Sequence, residues 1–240
     1  MRISAPARVS RRQDRPSGRV ITAAFAVAVG AAAALVAAAL LLRNDSSTPA
    51  SSGSALVDLQ GIRQSGNVLG SPSAKVTLVE YADPQCPACR LYTESIFPTV
   101  VNEYVRPGTV ATEFRGFPFI GKDSVTGYRY LLAAGMQGKL WNLVEALYRN
   151  QGAENSRWLT EDLVRRLAAE IPGLDVDRLL ADAEKPAIVA EASSAAAQAN
   201  AAGIRGTPTL LVKIGQQPPY LIQVASPDEM RAALDDALPS

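Results

Sequence analysis

Val76-Thr77-Leu78-Val79-Glu80-Tyr81 runs through Ala82-Asp83-Pro84-Gln85 into Cys86-Pro87-Ala88-Cys89, and the reading of this stretch decides the fold. Apart from Glu80, the first six residues are β-branched, aliphatic or aromatic, and Pro72 and Pro84 bound them, which predicts a buried strand. Pro87 stands where a helix begins, because its missing N–H would have no partner there in any case. Leu91, Ile96, Val100, Val101, Tyr104 and Val105 follow at roughly helical spacing, and Pro98 inside that run predicts a kink. Pro107-Gly108 ends it, and Thr109 to Phe114 reads as a second strand. The result is a β-α-β unit of about 40 residues.

Downstream the chain turns helical. Asp123 or Ser124 is the expected cap of a helix holding Tyr128, Leu131, Leu132 and Met136, and Leu140 to Leu147 continues it beyond Gly138. Thr160 opens another helix, with Leu167 and Ile171 on its apolar face, and Ala187 to Ala202 is an alanine-rich helix closed by Gly203. Thr209 to Ile214 and Tyr220 to Val224 flank a Gly215–Pro219 turn and predict a hairpin, and a last helix spans Pro227 to Leu238. The order is β-α-β, a mainly helical block, then β-β-α.

The 240 residues contain two cysteines, both in the quoted stretch, and no histidine. A Cys/His zinc site and a histidine-assisted nucleophile are therefore excluded. A net charge of +1 argues for no nucleic acid partner. That near-neutral total hides an asymmetry: residues 1–43 hold seven of the 24 basic residues and one of the 23 acidic ones, Asp14. Val20 to Leu42 carries no charge over 23 residues. As a helix it would be roughly 35 Å long, enough for a hydrocarbon core of about 30 Å. The expectation is a basic cytoplasmic tail at 1–19, a signal-anchor at 20–42, a flexible linker at 43–65 and a folded domain at 66–240 outside the membrane. Cleavage after Ala50 or Ala55, releasing a secreted domain, is the alternative. Ala55 to Ile62 is weakly apolar and can dock on the domain, whereas Gly66, Gly70 and Pro72 interrupt the chain beyond it.

Residues three apart on a helix have α-carbons about 5 Å apart, inside the disulfide range, so Cys86 and Cys89 can close a bond across one turn. The first sulfur faces the unpaired N–H groups at the helix start, which stabilise a thiolate, and the second lies a turn deeper. A structural disulfide, a metal site completed by carboxylates and two inert thiols are the competing readings. Closing a four-residue loop stabilises by only about 2 kcal/mol, against nearly 5 for a 100-residue loop. Glu80 shares a strand face with Val76 and Leu78, six residues before Cys86. It is either a buried acid able to exchange a proton with a thiol or a strand-end side chain turned to solvent. Gly206-Thr207-Pro208-Thr209 sets a proline at the opening of a strand, which suggests an edge, a bulge or a cis bond.

Val79-Glu80-Tyr81, Cys86-Pro87-Ala88-Cys89-Arg90, Phe97-Pro98, Tyr104-Val105-Arg106-Pro107-Gly108, Phe114-Arg115-Gly116-Phe117-Pro118 and Gly203-Ile204-Arg205-Gly206-Thr207-Pro208-Thr209 together resemble the DsbA-like branch of the thioredoxin superfamily. The resemblance covers about residues 66–238. It implies an α/β, thioredoxin-like fold with a helical insertion at about 121–203, here preceded by the transmembrane helix. It implies an extracytoplasmic thiol:disulfide oxidoreductase with no cofactor and no metal. Cys86 would be the nucleophile, Cys89 the resolving cysteine, Glu80 the buried acid and Pro208 a cis-proline facing the disulfide. The Thr207 backbone would pair with an extended substrate segment, in a groove between the thioredoxin part and the helical cap. Reduced or misoxidised exported proteins would be the substrates, and a membrane protein of the DsbB or vitamin K epoxide reductase type the reoxidant. Strongly oxidising members of the family often have a histidine between the cysteines, where this chain has Pro87-Ala88, and an aromatic commonly stands where it has Pro84. A milder disulfide-introducing oxidase is the expectation, with an envelope reductase and a non-catalytic peptide-binding or chaperone module as alternatives.

Overall fold

The computed structural model describes residues 57–239. The expected tail and signal-anchor, at 1–19 and 20–42, lie outside the described residues, as does most of the expected linker. No helix among the described residues is long and apolar enough to cross a membrane.

One mixed sheet organises the domain. Its strands are β1 (Gln64–Ser65), β2 (Val68–Leu69), β3 (Val76–Ala82), β4 (Val110–Gly116), β5 (Thr209–Ile214) and β6 (Tyr220–Ile222), in the spatial order β1-β2-β4-β3-β5-β6. The pairing of β3 with β4 is parallel and the others are antiparallel. That parallel pair needs a crossover, supplied by α1 (Pro87–Ser95), a short α2 (Phe97–Thr99) and a π-helical segment, Val100–Val105. The break at Ile96 and the π turn stand around Pro98, which has no N–H to extend a regular helical ladder.

Strand β3 is central and is covered on both faces. Val76, Leu78 and Ala82 enter the main core, while Val79 and Tyr81 enter a second cluster with Phe117, Ala199 and Ile204. This is the alternation of a pleated strand with each face buried, so nearly all of β3 reads as apolar.

The stretch expected as an insertion holds α3 (Lys122–Gly135), α4 (Leu140–Arg149), α5 (Glu161–Ala169), α6 (Val176–Ala183) and α7 (Pro186–Ala201). Thr160 caps α5 by accepting from Leu163 N at 3.2 Å, and Asp175 caps α6 by accepting from Arg178 N at 3.0 Å. Gly203, at φ +83°, closes α7 as expected. Helix α8 (Pro227–Ala237) starts at Ser226, which accepts from Glu229 N at 3.2 Å.

Three expectations are corrected. Helix α3 starts after Gly121 and not at an Asp123 or Ser124 cap, and Ser124 lies buried inside the first turn. Asn155 Oδ1 would stand 1.8 Å from a Cβ at position 121, so no side-chain cap fits there. The linker does not extend to 65: Val57 and Leu59 are buried in the main core, and Gln64–Ser65 pairs with Val68–Leu69 in a hairpin. The Arg106 guanidinium holds that segment by donating to the carbonyls of Asp58 and Gln60. Finally, Leu140–Arg149 is a helix of its own rather than a continuation past Gly138, which sits at φ +66°.

Trp141 on α4 joins the helices to the sheet. Its ring stacks on Phe97 at 4.9 Å, meets Phe114 edge-on at 5.8 Å, and its Nε1 donates to Asn67 O at 3.1 Å. Trp141→Ala is expected to cost about 3–5 kcal/mol of stability. Urea unfolding of the two proteins checks this; a loss below about 1 kcal/mol would show that the aromatic stack is not the joint.

Candidate active site

The site begins with the turn that brings β3 into α1. Asp83 is fully buried, and its Oδ1 accepts from Gln85 N at 2.8 Å. Its Oδ2 accepts from Phe119 N at 2.9 Å and from Ile120 N at 3.0 Å. One carboxylate thus ties the turn to the segment after β4. Cys86 follows as the N-cap of α1, with extended backbone and Pro87 in the first turn. Its sulfur does what a serine or aspartate oxygen usually does at that position: it accepts from Cys89 N, at 3.3 Å. As a thiol it also donates to Thr207 O at 3.3 Å. Thr207 precedes β5 across a cis peptide bond to Pro208, so the sequence-selected Gly206–Thr209 segment does face the cysteines.

Cys86 and Cys89 are 3.2 Å apart and stand as free thiols. Their environments separate them. The Cys86 thiol is lowered from 9.0 to about 6, chiefly by hydrogen bonding from Cys89, with help from Thr207 and the backbone and against partial burial. The Thr207 hydroxyl is buried and has no hydrogen-bond partner among the described residues. Cys89 is fully buried, and that burial pushes its thiol well above the usual range. Glu80 lies on the main-core face of β3 at 1 % exposure, which settles the choice left open by the sequence. Burial first, and then the charge of Cys86, raises its carboxyl to about 8. Two sulfurs and one acid are therefore brought together with their proton affinities pushed apart, an arrangement suited to thiol–disulfide exchange.

A family model described as thioredoxin matches residues 63–236. The chain is 32% identical over 173 residues to the probable disulfide bond formation protein D of Bacillus cereus, covering 71% of this chain and 77% of that protein. It belongs to the DsbA-like branch of the thioredoxin family. Among solved structures, oxidised BdbD from Bacillus subtilis is similar with a TM-score of 0.63 at 24% identity, covering 73% of this chain and 95% of that one. Pseudomonas aeruginosa DsbA2 gives 0.57 at 26% identity, with 73% and 96% covered. This DsbA-like chain is a thiol:disulfide oxidoreductase.

A groove lies beside the cysteines. A cavity of about 580 Å³ lies between α1 and the β5–β6 hairpin, lined by Ala88, Leu91, Tyr92, Ile96, Pro208 and Leu221 among others. None of its lining residues comes from α3 to α7, whereas a second cavity, of about 380 Å³, lies between the sheet and the helical block, against Tyr81, Arg115, Tyr128 and Ala195. The helices grip the active-site turn from behind. Tyr148 OH donates to Asp83 O at 3.0 Å. Gln151 Nε2 donates to Pro84 O at 3.0 Å and to Cys86 O at 3.2 Å. Gln85 Nε2 donates to Ser124 Oγ at 2.9 Å, and its Oε1 accepts from Asn155 N at 2.7 Å. Sequence reasoning missed these residues, because the contacts join positions 39 to 70 residues apart. Only Asp83-Pro84-Gln85 carried a local signal, an aspartate able to bond the N–H two residues on.

Glu80 makes the stability of the reduced protein depend on pH. Its folded value, about 8, lies above the unfolded 4.5, so its contribution is fully present below 4.5 and is lost as pH rises through 8. Wild-type stability should therefore fall relative to Glu80→Gln by about 1.4 kcal/mol per pH unit inside that window and level off above it. Urea titrations of both reduced proteins from pH 5 to 9 read this directly; parallel curves would mean that Glu80 ionises normally.

Proposed function

We propose that Cys86 is the nucleophile and Cys89 the resolving cysteine of an oxidase that introduces disulfides into exported proteins. The observation that carries this is the N-cap sulfur, lowered to about 6, beside a partner thiol raised well above 9.0. In the oxidised enzyme a substrate thiolate attacks Cys86 Sγ. The Cys86–Cys89 bond breaks, a mixed disulfide forms, and Cys89 leaves with the electron pair. Glu80, still protonated at neutral pH with its value near 8, supplies the proton that this buried leaving group needs. A second substrate thiolate then attacks the substrate sulfur of the mixed disulfide. This releases Cys86 as a stabilised thiolate and leaves the substrate oxidised by two electrons.

The groove beside Cys86 supports an extended, apolar substrate segment, held by the Thr207 backbone and seated against Pro208. The enzyme dithiol must return its two electrons to a reoxidant, for which a quinone-linked membrane protein of the DsbB or vitamin K epoxide reductase type is the proposal. The uncharged stretch at 20–42 behind six arginines supports a single-pass anchor with the catalytic domain outside the membrane. Ala88 puts no cation between the cysteines, so thiolate stabilisation rests on the helix start and its hydrogen bonds, which favours a milder oxidant.

The test is refolding of a reduced secreted protein. Cys86→Ser is expected to abolish catalysed disulfide formation, and Cys89→Ala to accumulate substrate as mixed disulfides on Cys86. A Cys89→Ala protein that traps nothing would identify a non-catalytic binding module. A wild-type protein that only reduces disulfides in the same assay would assign the reductase role.

A further inference from the structure

Inside the main core, two polar atoms close to the cysteines lack partners. Glu80 Oε1 and the Tyr92 hydroxyl are both buried, and neither has a hydrogen-bond partner among the described residues. An unsatisfied buried polar group costs about 1–3 kcal/mol, and native interiors tolerate few. The two share the same core region: Tyr92 lies one turn after Cys89 on α1, and the charges of both Glu80 and Cys89 act on its hydroxyl. Tyr92 is also in the lining of the groove beside Cys86, although only 4 % exposed. Tyr92 thus belongs both to the core around the cysteines and to the wall of the groove. Each atom needs a partner that the described residues do not supply, and water is the smallest group that can serve both.

We infer that Tyr92 is a positioning residue for Glu80, its hydroxyl donating to the Glu80 carboxylate through one bound water admitted from the groove side. This rests on the thiol-exchange reading of the site, in which Glu80 must be able both to hold and to release a proton. A carboxyl buried among aliphatic side chains alone is held neutral, and a donor aimed at its charged form restores ionisation. On the helix, position 92 is a core position that a phenylalanine ring would fill equally well, so the hydroxyl has no packing role to explain it.

The test compares wild type with Tyr92→Phe in the reduced state. The Glu80 carboxyl is followed from pH 5 to 10 by its ¹³C resonance in glutamate-labelled protein, identified by its absence in Glu80→Gln. Tyr92→Phe is expected to move the Glu80 titration upward by about one pH unit or more. It should leave in place the Cys86 thiolate absorbance titration and, below pH 7 where Glu80 is neutral in both proteins, the thermal stability. In a Glu80→Gln background, Tyr92→Phe should leave the pH profile of glutathione exchange unchanged, as two groups acting as a unit require. An unmoved Glu80 resonance, or an equal effect of Tyr92→Phe in both backgrounds, overturns the inference. Failure of the wild-type disulfide to exchange with glutathione is a separate result, and it overturns the reading of the site itself.

Discussion

The sulfur of Cys86 closes the start of a helix, and the rest of the site is arranged around that one bond. For the sulfur to accept from Cys89 N, α1 must begin at Pro87, the backbone of Cys86 must stay extended, and β3 must end at Ala82, four residues before Cys86. The Asp83 carboxylate fixes that interval by taking three backbone N–H groups. Thr207 approaches from the opposite side, placed by the antiparallel register that sets Tyr81 against Thr209. Behind the turn, Tyr148 and Gln151 hold the carbonyls of Asp83, Pro84 and Cys86. The helical block is thus a buttress of the redox turn, while the groove beside it is built from α1, β5 and β6.

The same geometry separates the two thiols. Cys86 lies at the helix start with donors directed at it, whereas Cys89, one turn deeper, has lost its solvent and gained two acidic neighbours. Lowering a thiol by about three units, as at Cys86, raises its thiolate fraction near neutrality about 90-fold, but lost nucleophilicity removes roughly 20-fold of that. The larger effect is on the leaving group and on the stability of the reduced form. A low value at Cys86 therefore makes a better oxidant rather than a much faster attacker. Burying Glu80 completes the division, because it keeps a proton at neutral pH close to the sulfur that most needs one.

Much of this was legible. The β-α-β unit, the kink at Pro98, the Thr160 cap, the Gly203 stop and the closing hairpin all rest on local chemistry, so residue types reveal them. The β1–β2 hairpin was hidden because strands of two residues carry no periodicity, and Gly66 and Gly70 read as interruptions. Helix α6 was not separated from its neighbours, although Asp175 caps it in the usual way. The docking of 57–62 was foreshadowed by its apolar residues, whereas the grip of Gln151 depends on contacts between distant positions, which composition and spacing do not encode. Glu80 was ambiguous for a related reason: only the packing of α1 over β3 decides whether a strand-end acid meets solvent. Tyr92 carried no signal in the sequence, where nothing sets its hydroxyl apart from an ordinary aromatic on a helix.

On the proposed reading, preferential stabilisation of the reduced, thiolate form by the N-cap geometry at Cys86 is what makes the pair an oxidant. The reduction potential of the Cys86–Cys89 couple, measured by equilibration with glutathione at pH 7, tests this most directly. A potential clearly less negative than that of thioredoxin, roughly −270 mV, is the predicted result. A value at or below that figure would contradict it.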